Sequence, residues 1–302
     1  MQQLMMDFSD FSHYFITGIS VFMYCYEGSF KLEPVWRKEH ARIERYTRMA
    51  LLLNPNVATF WNQRKRLISH QFLDGDCDLL LTRLVLSQKP KCVEALAHRR
   101  WLLQKQAAVN LLQPGWMEIE LDLCTLLANR SKCNYHAWSH RQWIFSLDRS
   151  ASFDVSVWIS EFRINDEFAR FHLSDHSGWH YRKFLLDQLK RNVHSLEKEG
   201  DELISKLLPA DVARQNGQFY LYLLLDELVK NGDLLISYSA HESLWYYRRF
   251  LLQALSVVQH SCRSSESVFL DKCKGQLAAC PAQTMYLENH LRWLSSPSVQ
   301  IL

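Results

Sequence analysis

The chain has 302 residues, of which 48% are hydrophobic and 22% charged, and its formal net charge is +3. This apolar content is enough for a sizeable core and excludes a largely disordered chain, while the mild charge, with no long basic run, argues against nucleic-acid binding. Only 9 glycines and 7 prolines disfavour an all-β fold, which needs many tight turns.

The first 30 residues carry one apolar patch, residues 14–26, which is 13 residues long. A helix needs roughly 20 apolar residues to cross a bilayer, and acidic rather than basic residues precede the patch, unlike a secretory signal. We therefore expect a divergent N-terminal segment over residues 1–30, no membrane span, and a cytoplasmic protein. The 8 cysteines are scattered without a C-x-x-C pair, which favours free thiols over a zinc cage.

From residue 60 onward a short motif recurs five times, as "FWNQRKRLI", "ALAHRRWLL", "AWSHRQWIF", "GWHYRKFLL" and "LWYYRRFLL". The arginines of successive copies are 35, 42, 41 and 66 residues apart, and a tryptophan stands three positions before four of them. Leu96 replaces it in the second copy. Repeats of this period predict a solenoid. The candidate repeat-core residues are Trp61, Arg64, Arg99, Trp138, Arg141, Trp179, Arg182, Trp245 and Arg248.

A second amphipathic stretch precedes each motif, and most of these stretches have apolar residues at the helical spacing of three and four. They cover residues 40–55, 77–90, 117–130, 155–173 and 219–238. The repeating unit is therefore helix A, a short turn and helix B. Five such hairpins, stacked over residues 31–258, predict an all-α fold: a right-handed α-α superhelix shaped as a solenoid crescent.

Tryptophan and arginine at positions i and i+3 share one face of helix B. The ring can fill the wedge between helices, and the guanidinium can fork onto a carboxylate or carbonyl of the next hairpin. We interpret these residues as holding repeats together. A polar insertion at about 190–218 explains the longest step, and residues 259–302, with "TMYLENHLRWLSS", form a C-terminal capping segment.

The motif resembles the N-Y-x-x-W-x-H-R repeat of the protein prenyltransferase α-subunit family, most closely in "NYHAWSHRQW". The resemblance covers roughly Trp36 to Leu252. It implies a heterodimer in which a β subunit, an α-α barrel, holds the catalytic zinc and most of the isoprenoid pocket. No cofactor or metal is then expected in this chain. In that family, the zinc would activate a substrate cysteine, whose sulfur displaces diphosphate from C1 of farnesyl or geranylgeranyl diphosphate.

The resemblance also implies candidate site residues at the starts of the second and third B helices. Lys91 matches the family lysine that contacts the departing diphosphate, although Val93 and Leu96 replace the tyrosine and tryptophan of that repeat. Asn134, Tyr135 and His136 match the third repeat, with Tyr135 and His136 as candidate catalytic residues and Asn134 and Tyr135 as candidate substrate contacts. From the residues alone, Lys91 also fits a solvated turn, Asn134 a helix cap, and the other two packing between repeats.

Two functions remain open at this point. One is a transferase subunit, inactive alone, that joins a β subunit of the Rab geranylgeranyltransferase type. It would prenylate the C-terminal cysteine of an acceptor such as a small GTPase or another trafficking protein. The other is a helical-repeat scaffold that binds another protein without catalysis, which the substitutions at Val93 and Leu96 favour.

Overall fold

A computed structural model describes residues 33–147, 155–192, 218–258, 261–276 and 280–296, with the side chains of residues 33–38 and 275–276 left out. Every regular element in these ranges is a helix, which confirms the predicted all-α class. The helices are α1 (Glu33–Leu53), α2 (Ala58–Ser69), α3 (Gly75–Gln88), α4 (Val93–Ala108), α5 (Trp116–Arg130), α6 (Tyr135–Leu147), α7 (Val155–Phe171), α8 (His176–Arg191), α9 (Phe219–Ser237), α10 (Glu242–Val257), α11 (Arg263–Gln276) and α12 (Pro281–Leu294).

The described residues form two compact units, whose boundary falls inside α3, between Leu81 and Thr82. In the first unit, α1 packs against α2. In the second unit, three hairpins pair α5 with α6, α7 with α8, and α9 with α10. Each B helix there also contacts the next B helix, in the order α4, α6, α8, α10 and α12. Contacts in chain order between like helices are those of an α-α helical-repeat solenoid, as the motif predicts.

Local signals in the sequence set several helix ends. Asn54-Pro55 follows α1 and Lys89-Pro90 follows α3, because the residue before a proline avoids helical geometry. At the start of α8, the side chain of Asp175 accepts a hydrogen bond from the backbone N–H of Gly178 at 2.9 Å. This bond satisfies one of the amides that a helix start leaves without an intrahelical partner.

Aromatic side chains fill the space between neighbouring B helices of the second unit. Trp138 is 5% exposed and stacks on Tyr181 of α8, with ring centroids 4.8 Å apart. Trp179 makes the corresponding contact with Tyr247 of α10, also at 4.8 Å. Gly178 lies so close to the ring of Phe168 that an added Cβ would approach it to 2.7 Å. Close packing of α8 against α7 therefore requires glycine at position 178.

The described residues contain six helix pairs rather than five, since α11 and α12 follow the last motif copy. In α12, His290 and Trp293 occupy the places of His140 and Trp143, but Leu291 stands where the other B helices have the motif arginine. A search on the W-x-x-R motif misses this pair for that reason. The boundaries predicted above remain predictions: segment 1–30 lies outside the described residues, as does most of the insertion at 190–218.

None of the helices in the part of the chain that the structure describes is long and apolar enough to cross a membrane.

Candidate functional site

Each motif arginine forms a buried ion pair with a carboxylate on a later A helix. In the first unit, Arg64 binds Asp78, with Nη2 and Oδ1 2.6 Å apart. In the second unit, Arg182 Nε and Nη2 donate to the two carboxylate oxygens of Glu227, both at 2.6 Å, so that the guanidinium and the carboxylate form two parallel bonds. Both partners of every pair are at most 3% exposed. The remaining pairs are Arg99–Glu120, Arg141–Glu161 and Arg248–Glu266.

The third nitrogen of each guanidinium points back to helix A of its own hairpin. Arg141 Nη1 donates to the carbonyl oxygen of Leu121 at 2.8 Å and to Thr125 Oγ1 at 2.9 Å. Arg248 Nη1 bonds Leu228 O and Asn231 Oδ1 in the same way, at 3.3 and 3.4 Å. One arginine thus joins three helices: its own helix B, the helix A before it, and the next helix A.

The ring that precedes the motif arginine completes the cluster. His140 Nε2 hydrogen-bonds to Glu120 at 3.0 Å, and Tyr181 Oη donates to Glu161 at 2.8 Å. Tyr247 and His290 contact Glu227 and Glu266 similarly. Each of these carboxylates therefore accepts from the arginine of the previous hairpin and from a ring of its own hairpin, giving a buried polar spine along the second unit.

The environment keeps these pairs charged and the histidine neutral. Burial alone would raise the pKa of Glu120, but hydrogen bonds from His140 and Arg99 lower it below its usual value. Burial would likewise raise the pKa of Glu227, and Arg182 with Tyr247 outweigh it. The pKa of His140 is lowered by burial despite the nearby Glu120.

A second set of contacts ties neighbouring A–B turns together at the starts of the B helices. Cys133 N, in the α5–α6 turn, donates to Asp175 Oδ2 at 2.7 Å. Ser243 Oγ, at the start of α10, donates to the carbonyl oxygen of Leu173. Further along, Ala240 N donates to Gln283 Oε1 at 3.2 Å. The predicted site residues Lys91, Asn134, Tyr135 and His136 lie in or next to these turns.

Asn134 is a cap and a tie between turns, with no exposed surface. Its Nδ2 donates to the carbonyl oxygens of Pro90 and Leu127 at 2.8 and 3.2 Å, and its Oδ1 accepts from Ala137 N at 3.2 Å. The side chain has no accessible group to offer a ligand. Through its bond to Pro90, Asn134 positions the turn that carries Lys91, and its predicted contact with substrate stays a prediction.

Lys91 is exposed just before α4, and its Nζ donates to the carbonyl oxygen of Lys132 at 2.8 Å. By the repeat register, this carbonyl corresponds to the ones that bind an indole N–H elsewhere: Trp61 Nε1 donates to Pro55 O and Trp179 Nε1 to Leu173 O. The Lys91 ammonium thus binds the carbonyl that an indole N–H binds in those other repeats, and it also remains exposed to solvent.

Tyr135 and His136 begin α6 and line two different grooves. Tyr135 is 57% exposed and faces a groove of about 420 Å³ with Lys183 and Tyr246. His136 is half-buried and faces a groove of about 340 Å³ beside Arg100 and Trp143. The structure brings both residues and Lys91 to adjacent turns, but it does not place the two rings in one pocket.

The sequence analysis missed the carboxylates of the spine, although a regular signal marks them. Asp78, Glu120, Glu161 and Glu227 each precede the arginine of their own hairpin by 21 residues. An acidic residue inside an otherwise apolar stretch, at a fixed distance from each motif copy, identifies a buried partner.

Among the residues the structure describes, no three His, Cys, Asp or Glu side chains converge to hold a metal ion.

Comparison with known proteins agrees with this geometry. The family model "Protein prenyltransferase alpha subunit repeat" matches residues 117–148, 158–189 and 224–255, which correspond to the hairpins α5–α6, α7–α8 and α9–α10. The chain contains three copies of the protein prenyltransferase alpha subunit repeat. Each matched repeat contains one arginine and one carboxylate of the buried spine.

Similar proteins include protein prenyltransferase alpha subunit repeat-containing protein 1 of Homo sapiens, 34% identical over 73% of this chain and 61% of the relative. The 1-B form of Xenopus laevis is 32% identical over 75% of this chain and 58% of its own length. The geranylgeranyl transferase type-2 subunit alpha of Rattus norvegicus is 27% identical over 68% of this chain and 33% of its own. The chain spans about three fifths of the length of the first two relatives.

Proposed function

We propose that this chain is the α-type subunit of a heterodimeric protein prenyltransferase. The observation that carries the proposal is the placement of Lys91 and Tyr135, exposed on adjacent turns that Asn134 ties together, at the starts of α4 and α6. Helix N-termini and a nearby ammonium favour an anion there. The similarity to geranylgeranyl transferase type-2 subunit alpha supports a geranylgeranyl donor and a β subunit of that type.

In this proposal the β subunit supplies zinc and the isoprenoid pocket, and this chain completes the diphosphate side. Lys91 would stabilise the negative charge that develops on the leaving diphosphate, an effect realised mainly in the transition state. Tyr135 and His136 are candidates for contacts at the rim of the shared site. The acceptor is a protein with a C-terminal cysteine, such as a small GTPase or another trafficking protein, and the assembly works in the cytoplasm.

Two observations favour a scaffold without catalysis as the second candidate. Val93 is 47% exposed and Leu96 is buried where the family repeat has tyrosine and tryptophan, and the Lys91 ammonium already binds the carbonyl of Lys132. A scaffold would keep the repeat spine and lose the chemistry at the turns.

Co-expression with a type-2 geranylgeranyltransferase β subunit separates the two candidates. A subunit should co-elute with β at equal stoichiometry, and the complex should transfer geranylgeranyl from its diphosphate to a peptide ending in cysteine. Farnesyl diphosphate and a Cys→Ser peptide serve as controls. Co-elution without transfer would favour the scaffold, and failure to co-elute would reject the heterodimer.

A further inference from the structure

Three cations on the B helices of the second unit form no salt bridge within the described residues. Arg100, Lys183 and Arg249 each follow a motif arginine by one position and are half-buried. None of the three forms a salt bridge with a carboxylate in the described part of the chain, although the motif arginines beside them are all paired. An unpaired, partly desolvated charge costs stability, so its presence at three equivalent positions calls for a reason.

Each of these cations lies against an aromatic ring of the next B helix. The distance from the charged group to the ring centroid is 5.5 Å for Arg100 over Trp143 and 5.3 Å for Lys183 over Phe250. Arg249 lies 6.0 Å from the Trp293 ring. We call these six residues the cation–aromatic row.

Two of the three rings of the row stack on buried histidines of their own helices, which fixes the orientation of these rings. Trp143 stacks on His140 at 5.2 Å, and Trp293 stacks on His290 at 5.5 Å. Both histidines belong to the buried spine. The row is therefore a rigid surface built on the spine, which suits a binding site because little conformational freedom remains to be lost.

The contacts inside the row do not satisfy its cations. Arg100 uses Nε to bond His140 Nδ1 at 3.1 Å and Nη2 to bond Ser139 Oγ at 3.3 Å, and both acceptors are neutral. Arg249 Nε is buried and has no hydrogen-bond partner among the described residues. Burial lowers the pKa of all three cations, so their charge is maintained against a desolvation cost.

We propose that the cation–aromatic row is a docking surface for a protein partner that presents carboxylates, with Asp or Glu side chains meeting Arg100, Lys183 and Arg249 between the rings. Arginine and large aromatics are the residues enriched at protein–protein interfaces. Helices pack roughly 8–10 Å apart, and seven residues of a partner helix advance about 10.5 Å. Acidic residues one heptad apart on a helix therefore match the step from Lys183 on α8 to Arg249 on α10. Two heptads match the step from Arg100 on α4 to Lys183, because α6 has Gln142 at the equivalent position. This inference goes beyond the proposed function and does not rest on it.

A nucleic acid fits the same surface less well. Glu94, Asp187 and Glu242 lie on the helices that carry the row, and they would repel a continuous line of phosphates. Carboxylates at separate points on a protein partner can avoid these acids.

Binding of defined probes to the full chain tests the proposal. One probe is a helical peptide with glutamates one heptad apart beside apolar residues, the second has glutamine at those places, and the third is a single-stranded oligonucleotide of equal charge. The glutamate peptide should bind at least about tenfold more tightly than either of the others, with affinity falling as salt rises. Absence of binding, equal binding of the glutamine peptide, or tighter binding of the oligonucleotide would overturn the proposal.

Two triple variants separate docking from packing. Arg100→Gln/Lys183→Gln/Arg249→Gln should weaken the glutamate peptide by about tenfold or more. The control Arg83→Gln/Arg163→Gln/Lys272→Gln removes the same charge from exposed positions of the second unit and should leave binding unchanged. The row variant should melt at the same or a higher temperature, because it removes unpaired cations. A clearly lower melting temperature, or equal weakening in the control, would show that the row serves packing or net charge.

Discussion

Arg141 and Glu161 are joined by two parallel hydrogen bonds, each 2.7 Å long, which cross from α6 to the next hairpin at α7. Tyr181 Oη adds a third bond to the same carboxylate at 2.8 Å. Because all three groups are buried, the pair fixes how one hairpin sits on the next. The same arrangement recurs along the second unit, so the stacking of its repeats depends on buried charge as well as on apolar contact.

Arg141→Ala should therefore lower the free energy of unfolding by about 3–5 kcal/mol, because it leaves the Glu161 carboxylate buried without its counterion. Urea denaturation followed by circular dichroism measures this change. The control Arg292→Ala removes an exposed partner of Glu288 and should leave the midpoint unchanged. Equal effects of the two substitutions would contradict the role given to the spine.

The two histidines of the spine predict a loss of stability in mild acid. Burial lowers the pKa of His140 and His290 in the folded chain, so the unfolded chain binds more protons as the pH falls. Their contribution is complete above the unfolded pKa of about 6.5 and is lost as the pH falls toward the folded pKa. Protonation would also place a proton on His140 Nδ1, which accepts from Arg100.

The measurement is the urea midpoint from pH 8 to pH 5 for the natural chain and for His140→Gln/His290→Gln. The double variant should be less stable at pH 8 and show a shallower dependence on pH. The same dependence of the urea midpoint on pH in both chains would mean that protonation of these histidines does not change the stability. Stability should fall further below about pH 4.5, because the Glu120 and Glu266 carboxylates gain protons there in the unfolded chain, whereas their pKa is lowered in the folded chain.

The indole groups of two equivalent tryptophans predict different costs for the same substitution. Trp179 Nε1 donates to Leu173 O at 3.0 Å, whereas Trp138 Nε1 is buried without a hydrogen-bond partner among the described residues. Trp179→Phe should thus cost about 1 kcal/mol more than Trp138→Phe, the usual net value of one hydrogen bond. Trp138→Ala should cost about 3–5 kcal/mol through the cavity it leaves. Equal costs for both phenylalanine variants, by chemical denaturation, would argue against the hydrogen-bond assignment.

Sequence reasoning reached the helices and the repeat because both depend on periodic, local signals. Trp138 and Arg141 share a face by their spacing alone, whereas the identity of the buried acceptor depends on which helix of the next hairpin lies opposite. The last helix, α12, was predicted as a capping helix, but its pairing with α11 as a further repeat was not, because Leu291 replaces the arginine that defines the motif. Asn134 was ambiguous because an asparagine before a helix fits a cap as well as a ligand; the structure shows the cap bond to Ala137 N, and the substrate contact stays a prediction.

Lys91→Ala tests the chemistry assigned to the turns. In the proposed heterodimer, the single-turnover rate of transfer should fall about 100- to 1,000-fold, the range for loss of one charge-stabilising donor. Binding of β and of the isoprenoid diphosphate should change little, because the interaction gains strength as the leaving group separates. Lys91→Arg should recover part of the rate, since it keeps the charge but alters the geometry. If the transfer rate of Lys91→Ala equals that of the natural chain, Lys91 is a solvated turn residue.

The most direct measurement of the central claim is transfer of labelled geranylgeranyl from its diphosphate to a peptide ending in cysteine. It is made with the purified chain alone, the type-2 β subunit alone, and the two mixed at equal concentration. We predict transfer only in the mixture, saturating at one chain per β subunit. Transfer by this chain alone at the rate of the mixture, or none in a mixture whose subunits form a stable complex, would contradict the assignment as a prenyltransferase subunit.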